Sequence, residues 1–248
     1  MGNKPDGRLL PVRVWLRHMS LLFKSVRKRA EVEINVGLIA LNGYLEIPKQ
    51  SYGLVLFAHG SGSDRDSPRN QQTAAALRKQ RLATLLFDLL TEEEKRDDVE
   101  TEEVRFDVDF LASRMRMVTD WALNNAGLTG LPLGYFGAST GAAAALTAAA
   151  EEWDSVRAVV SRGGRPDLAS EALGRVSAPT LLIVGEKDLS VLKHNREALD
   201  QLRPEKRLEV VPGAGHLFEE PGTLDSASQL AAAWFAEHLP EKIEDKHP

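Results

Sequence analysis

The sequence predicts an α/β protein in three α/β/α layers, built on a mostly parallel sheet of about eight strands with an antiparallel pair at its N-terminal end. Three observations predict it. Short continuous apolar runs recur at Gly53–Ala58, Leu82–Phe87, Leu133–Phe136, Val156–Val160 and Thr180–Val184, as expected of strands buried on both faces. They alternate with stretches whose apolar residues fall at helical spacing, an order that makes right-handed crossovers and a parallel sheet. Finally, 248 residues with 43% hydrophobic content can enclose one sizeable core, and neither an internal repeat nor a second core is seen. One main domain is therefore expected over residues 31–240, between a basic extension (1–30) and a tail (241–248).

Taken in order, residues 1–30 carry Lys4, Arg8, Arg13, Arg17, Lys24, Arg27, Lys28 and Arg29 against a single acid, Asp6. This reads either as a solvated extension or as an amphipathic basic helix in weak contact with a membrane surface or a partner, or as an organelle-type leader. From Glu31 the apolar residues alternate, with Asn42-Gly43 as a turn or bulge signal, so two antiparallel strands are expected. After the Gly53–Ala58 strand comes His59-Gly60-Ser61-Gly62-Ser63-Asp64. A helix is then expected from Pro68 to about Gln80. The strand ending at Phe87 is followed by Thr91–Glu103, where eight of thirteen residues are acids; such a run is expected to be a solvated loop or helix N-terminus, the alternative being a functional acidic lid. Phe106, Phe110, Leu111, Met115, Val118, Trp121, Ala122 and Leu123 predict one long amphipathic helix. Later helices are expected at Val191–Leu202 and Leu224–Leu239, separated by a strand at Leu208–Val211.

Composition excludes several classes. Without cysteine there are no disulfides, thiolate metal sites or cysteine nucleophile. The net charge of −5 and the lack of a basic patch interleaved with aromatics in the body of the chain argue against nucleic acid. No run approaches the roughly 18 apolar residues that cross a bilayer, so a soluble, cytoplasmic protein without an integral membrane segment is expected. Phosphate-loop, dinucleotide and H-E-x-x-H patterns are missing, so neither a cofactor nor a metal is predicted. Oligomeric state is not readable.

The chemistry is carried by Gly137-Ala138-Ser139-Thr140-Gly141, which closes an apolar strand and opens an alanine-rich helix. A serine lifted into strained backbone geometry between a strand and a helix requires glycines at the flanking positions. Two more reactive residues fall just beyond strand ends, Asp188 after Thr180–Val184 and His216 after Leu208–Val211. Reactive groups of parallel sheets collect at that edge. The order Ser, Asp, His accompanies a Gly-x-Ser-x-Gly turn. Serine needs a base near neutral pH, and imidazole has the right proton affinity. Ser139, His216 and Asp188 are thus the candidate nucleophile, base and orienting acid. Negative charge on a tetrahedral intermediate needs two backbone N–H donors, expected from Thr140 and Ser61, with Gly62 as the substitute for Ser61.

The segments Leu54–Ser63, Tyr135–Gly141, Val159–Asp167, Pro179–Gly185 and Gly213–Glu220 resemble the α/β-hydrolase superfamily, specifically its dienelactone-hydrolase-related members, and together cover about residues 30–240. The resemblance implies a hydrolase fold and cleavage of small carboxylic esters or lactones. One departure is informative: dienelactone hydrolases proper carry cysteine where this chain has Ser139. Serine-type relatives resemble general carboxylesterases, and some are similar to domains fused to phosphoribosyltransferases. The same acyl-enzyme could serve a thioesterase or acyl transferase, and a hydrolase fold can also be a non-catalytic binding protein; three intact triad positions argue against the latter. Arg65, Arg69, Arg162 and Arg165 flank the site. Gly62, Arg65 and Arg162 are candidate substrate contacts, with a carboxylate or phosphate on the substrate as the functional reading. The alternative is that the arginines pair with Asp64, Asp66, Asp167 or the acidic run. The connection after Asp88 is too short for a large cap domain, so an open site favouring short acyl chains is expected.

Overall fold

A computed structural model describes residues 29–240. The readings of the basic extension and of the tail fall on residues 1–28 and 241–248, outside the described residues. Eight strands form one sheet: β1 (Ala30–Val36), β2 (Ile39–Glu46), β3 (Leu54–Ala58), β4 (Ala83–Phe87), β5 (Leu133–Ala138), β6 (Val156–Arg162), β7 (Thr180–Gly185) and β8 (Lys206–Val211), in spatial order β1-β2-β4-β3-β5-β6-β7-β8. β1 pairs with β2 and β2 with β4 antiparallel, and all pairings from β3 to β8 are parallel. Among the described residues six α-helices cover the faces: α1 (Pro68–Lys79), α2 (Glu92–Thr101), α3 (Val108–Asn124), α4 (Thr140–Glu151), α5 (Leu189–Gln201) and α6 (Thr223–His238).

The layers follow from the period of two along each buried strand. Leu54, Leu56 and Ala58 of β3 and Tyr135 of β5 face a core shared with Met115 and Val118 of α3 and the alanines of α4. Val55, Phe57 and Phe136 face the opposite core, with Ala74 and Leu77 of α1 and Trp234 and Phe235 of α6. All residues of α4 except Glu151 are buried, and its alanines allow the helix to lie close against the sheet. No described helix is long and apolar enough to cross a membrane.

Helix starts match local chemistry. Ser67 caps α1 by accepting from the Asn70 amide at 3.4 Å, with Pro68 at the first helical position. Thr91 and Glu94 cap α2 reciprocally.

Two local expectations are corrected. The turn between β1 and β2 lies at Gly37-Leu38, where Gly37 has φ 63°, not at Asn42-Gly43. Gly43 instead sits inside β2 opposite Phe87; a Cβ there would meet Leu85 Cδ1 and the Leu86 carbonyl at 3.2 Å, so its role is close strand approach. The acidic run forms α2, and it is not wholly solvated. Asp98 is buried and accepts from the Val104 and Arg105 amides and from Arg105 Nε, contacts that hold its carboxyl below the usual range despite burial. Glu94 pairs with the buried Arg114.

Candidate active site

Ser139 follows β5 and has φ 51° and ψ −124°, a conformation that costs on the order of 1–3 kcal/mol and is held by its surroundings. The flanking glycines are why it fits. A Cβ on Gly137 would lie 2.4 Å from Ala142 Cα, and one on Gly141 would lie 2.3 Å from the His59 carbonyl oxygen. The Ser139 amide donates to the Arg162 carbonyl at 3.3 Å, and its own carbonyl accepts from the Ala142 and Arg165 amides at 3.1 Å. The turn is thereby tied to both α4 and the end of β6.

Asp188 lies just beyond β7 and caps α5, accepting from the Val191 amide with Oδ1 at 3.4 Å. Its Oδ2 lies 2.6 Å from His216 Nδ1. An ionised carboxylate only accepts, so Nδ1 carries a proton, and in the neutral imidazole Nε2 keeps its lone pair. His216 stands on the loop after β8, and that loop rests directly on β7: a Cβ on Gly185 would lie 2.5 Å from the Ala214 and Gly215 carbonyl oxygens. The sequence offered no signal for the brace beneath it. Glu220 accepts from the Gly215 amide at 3.0 and 3.1 Å and lies 3.6 Å from Lys187. The hydrogen bond from Gly215 holds the Glu220 carboxyl below its ordinary range.

Ser139 and His216 line one cavity of about 260 Å³, together with Ser61, Arg69, Asn70 and Arg162. No hydrogen bond joins Ser139 Oγ to His216 in this arrangement, a looseness common in sites without substrate. A second cavity of about 280 Å³ lies across the segment 60–63, walled by Leu89, Leu90, Val99 and Leu111. Gly62, at φ 69°, lines this second cavity and not the first.

The two expected amide donors differ. Thr140 opens α4, where the first N–H groups have no helical acceptor. The Ser61 amide is not free: it donates to Thr140 Oγ1 at 2.8 Å. His59 anchors the same segment from below. It is buried, with Nδ1 3.0 Å from the Gly60 carbonyl and Nε2 accepting from the Leu89 amide at 3.1 Å, so it is the neutral Nδ1–H tautomer. Burial lowers its pKa below 6.5. The folded protein therefore refuses a proton that the unfolded chain takes up, and stability present above pH 6.5 is lost as pH falls toward the folded value, by up to about 1.4 kcal/mol per pH unit. Urea unfolding of wild type and His59→Gln between pH 7.5 and 5.5 is expected to show a steeper loss in wild type; equal slopes would refute it.

The arginines part company. Arg65 does not line the Ser139 cavity: its side chain pairs with the buried Asp88, which also holds Lys95 at 2.9 Å. That engagement removes Arg65 from the candidate substrate contacts. Arg165 pairs with Asp167 at 2.7 Å, as the ion-pair alternative expects. Arg69 lies 3.8 Å from Glu219, and among the described residues Arg162 meets no acid. The one group with metal-ligand spacing among the described residues, Glu205, Glu237 and His238, lies near the start of β8, at the other end of that strand from the His216 loop.

Residues 51–239 match the family described as "Alpha/beta hydrolase domain". A crystal structure of dienelactone hydrolase from Anabaena variabilis is 55% identical, covers 86% of this chain and 98% of its own, and superposes with a TM-score of 0.84. An α/β serine hydrolase without lid from Xanthomonas campestris shares the fold at 20% identity, with a TM-score of 0.67 over 86% of this chain and 96% of that one. Two Mycobacterium tuberculosis proteins, provisionally named phosphoribosyl transferases, are 53% identical over 209 residues, which is 84% of this chain. The chain spans about half of their length, 46%. Sheet order, the serine turn and these matches together mean that the chain belongs to the α/β-hydrolase family and is a dienelactone-hydrolase-related member of it.

Proposed function

We propose that this protein is a serine hydrolase that cleaves small carboxylic esters or lactones through an acyl-enzyme. One observation carries the reading: an Asp188–His216 hydrogen bond of 2.6 Å stands beside a serine held at φ 51° in the same cavity. Ser139 Oγ attacks the carbonyl carbon and gives its proton to His216 Nε2. The tetrahedral intermediate collapses, and the leaving alkoxide takes that proton. Water then attacks the acyl-enzyme, losing a proton to His216, and Ser139 is released as the hydroxyl. Asp188 orients the imidazole and stabilises its charged form. The developing oxyanion receives the Thr140 amide at the α4 N-terminus, where the helix dipole adds to the stabilisation. The Ser61 amide is the second donor; there it exchanges a neutral hydroxyl acceptor for a charged one, the stronger hydrogen bond.

No cofactor takes part in this scheme. The phosphoribosyl transferase name attaches to proteins about twice as long, and the reading concerns the segment shared with them. A cytoplasmic location goes with this reading, and the lack of cysteine is compatible with it without demanding it. The connection between β4 and α3 holds the ten-residue α2 and one 3-10 turn, Val104–Phe106, too little for a large cap, so the site is open and suits short acyl chains. With 4-nitrophenyl esters, kcat/KM is expected to fall from acetate and butyrate to palmitate, and a fluorophosphonate probe is expected to label Ser139. Rates that climb steadily to palmitate would remove the short-chain preference. Failure of the wild type to take the probe would remove the serine mechanism.

A further inference from the structure

The start of β8 and the last turn of α6 bring together Glu205, Glu237 and His238, each offering a ligand atom within 4.8 Å of the other two. No short sequence pattern joins them, because Glu205 stands immediately before an edge strand and the other two end a helix. Paired carboxylates are ordinary on a protein surface, and the histidine sets this group apart. Its side chain is 5% exposed, whereas both glutamates are exposed. The ring stacks on the buried Trp234 with centroids 4.1 Å apart, and Nδ1 lies 2.8 Å from the Trp234 carbonyl oxygen. A carbonyl only accepts, so Nδ1 carries a proton. Metal-bound imidazoles are oriented in this way, with the ring nitrogen remote from the metal donating to a carboxylate or a backbone carbonyl.

The other nitrogen, Nε2, points into the group. It lies 3.3 Å from Glu205 Oε2, yet the pair is not aligned as a hydrogen bond, and Nε2 has no other partner among the described residues. In the neutral ring Nε2 is an acceptor, so a lone pair faces a carboxylate. Neither Glu205 nor Glu237 forms an ion pair with Lys or Arg among the described residues. Three acceptors thus converge, an arrangement that a cation stabilises. The spacing suits zinc. Zinc takes histidine nitrogen and carboxylate oxygen at about 2.0–2.2 Å, which sets two ligands of a tetrahedral ion about 3.3–3.5 Å apart. His238 Nε2 and Glu205 Oε2 already stand at that separation, and off the hydrogen-bond line, as neighbouring ligands of one ion do. The backbone fixes Glu205 there, its carbonyl accepting from the Thr180 amide at 2.9 Å. Imidazole favours zinc over magnesium and calcium, which take oxygen ligands.

We propose that Glu205, Glu237 and His238 bind one Zn²⁺ ion, with solvent in the fourth position, and that the ion clamps the edge strand β8 to the end of α6. The site lies at the far end of β8 from the His216 loop, so it stands apart from the hydrolytic reading of Ser139. Its effect is on the folded state: an ion held by the folded chain and not by the unfolded one raises stability by mass action.

The test uses the full chain without an affinity tag, stripped of metal by a chelator. Zinc chloride is titrated in by calorimetry, with magnesium chloride as the comparison, and thermal shift follows the same additions. Wild type is expected to bind one equivalent of zinc and to melt about 5 °C higher or more at a hundredfold excess over Kd; magnesium should do neither. Glu237→Gln alters only an exposed side chain, so it tests the site without risk to the fold, and it should weaken zinc binding about tenfold or more. Glu205→Gln should do the same, and His238→Gln should abolish the binding. Wild type that neither binds zinc nor gains stability from it overturns the proposal, and would mean that His238 is simply protonated against Glu205. Zinc held as tightly by Glu237→Gln and Glu205→Gln as by wild type also overturns it, since the ion would then sit on a histidine alone or elsewhere.

Discussion

Replacing Ser139 with alanine is expected to lower kcat on 4-nitrophenyl acetate by about 10⁴-fold or more, with the fold intact. Ser139 Oγ makes no hydrogen bond among the described residues, so its removal strands no partner, and alanine keeps the Cβ that the turn already accommodates. The residual rate would come from the amides that hold the oxyanion, which are untouched. Asp188→Asn probes the same unit from the other end. Asparagine retains an oxygen for the Val191 amide but presents an N–H to His216 Nδ1 in the wrong orientation, and comparable losses are expected. Steady-state kinetics, with circular dichroism as the control for folding, decides the matter. Retention of a tenth of wild-type activity in Ser139→Ala would mean that the nucleophile lies elsewhere.

The second large effect is one of stability. Gly141→Ala would put a Cβ 2.3 Å from the His59 carbonyl oxygen and 2.4 Å from that of Ala58, both backbone atoms at the end of β3. No flexible side chain can yield there, so α4 or β3 must move, and a loss of about 3 kcal/mol or more is expected. Activity should fall further than stability alone requires, because displacing His59 shifts the segment that carries the Ser61 amide. Gly213→Ala is the comparison. It sits at φ 70° with nothing within 4 Å, so it should cost only the backbone strain, roughly 1–2 kcal/mol. Urea midpoints that rank the two variants in the opposite order would refute this account.

The parallel strands and their helices were legible because burial on both faces leaves a continuous apolar run, as in Leu54–Ala58, and because capping residues such as Ser67 act locally. Asn42-Gly43 misled for a related reason. The dipeptide favours turns, but Gly43 is glycine because β4 crosses close beside it, a constraint that comes from a strand forty residues away. The acidic run misled in part because only packing sets Asp98 and Glu94 apart from their exposed neighbours.

The candidate site divides the same way. Ser139, Asp188 and His216 could be nominated from the sequence because each follows a strand, and the parallel order sends every strand end to one edge. How the site is wired was settled by tertiary contacts: Glu220 under Gly215, His59 between Gly60 and Leu89, and the Thr140 hydroxyl on the Ser61 amide. The arginines make the point most plainly. Four stood near the site in sequence, equivalent in charge and spacing. The fold gave Asp88 to Arg65 and Asp167 to Arg165, and left Arg162 buried beside Ser139 without an acid among the described residues. Pattern and spacing determined the layers and nominated the candidate reacting groups, since both are local or repeat with a fixed period. Which charges are neutralised depends on residues far apart in the chain, and that only the tertiary structure decided.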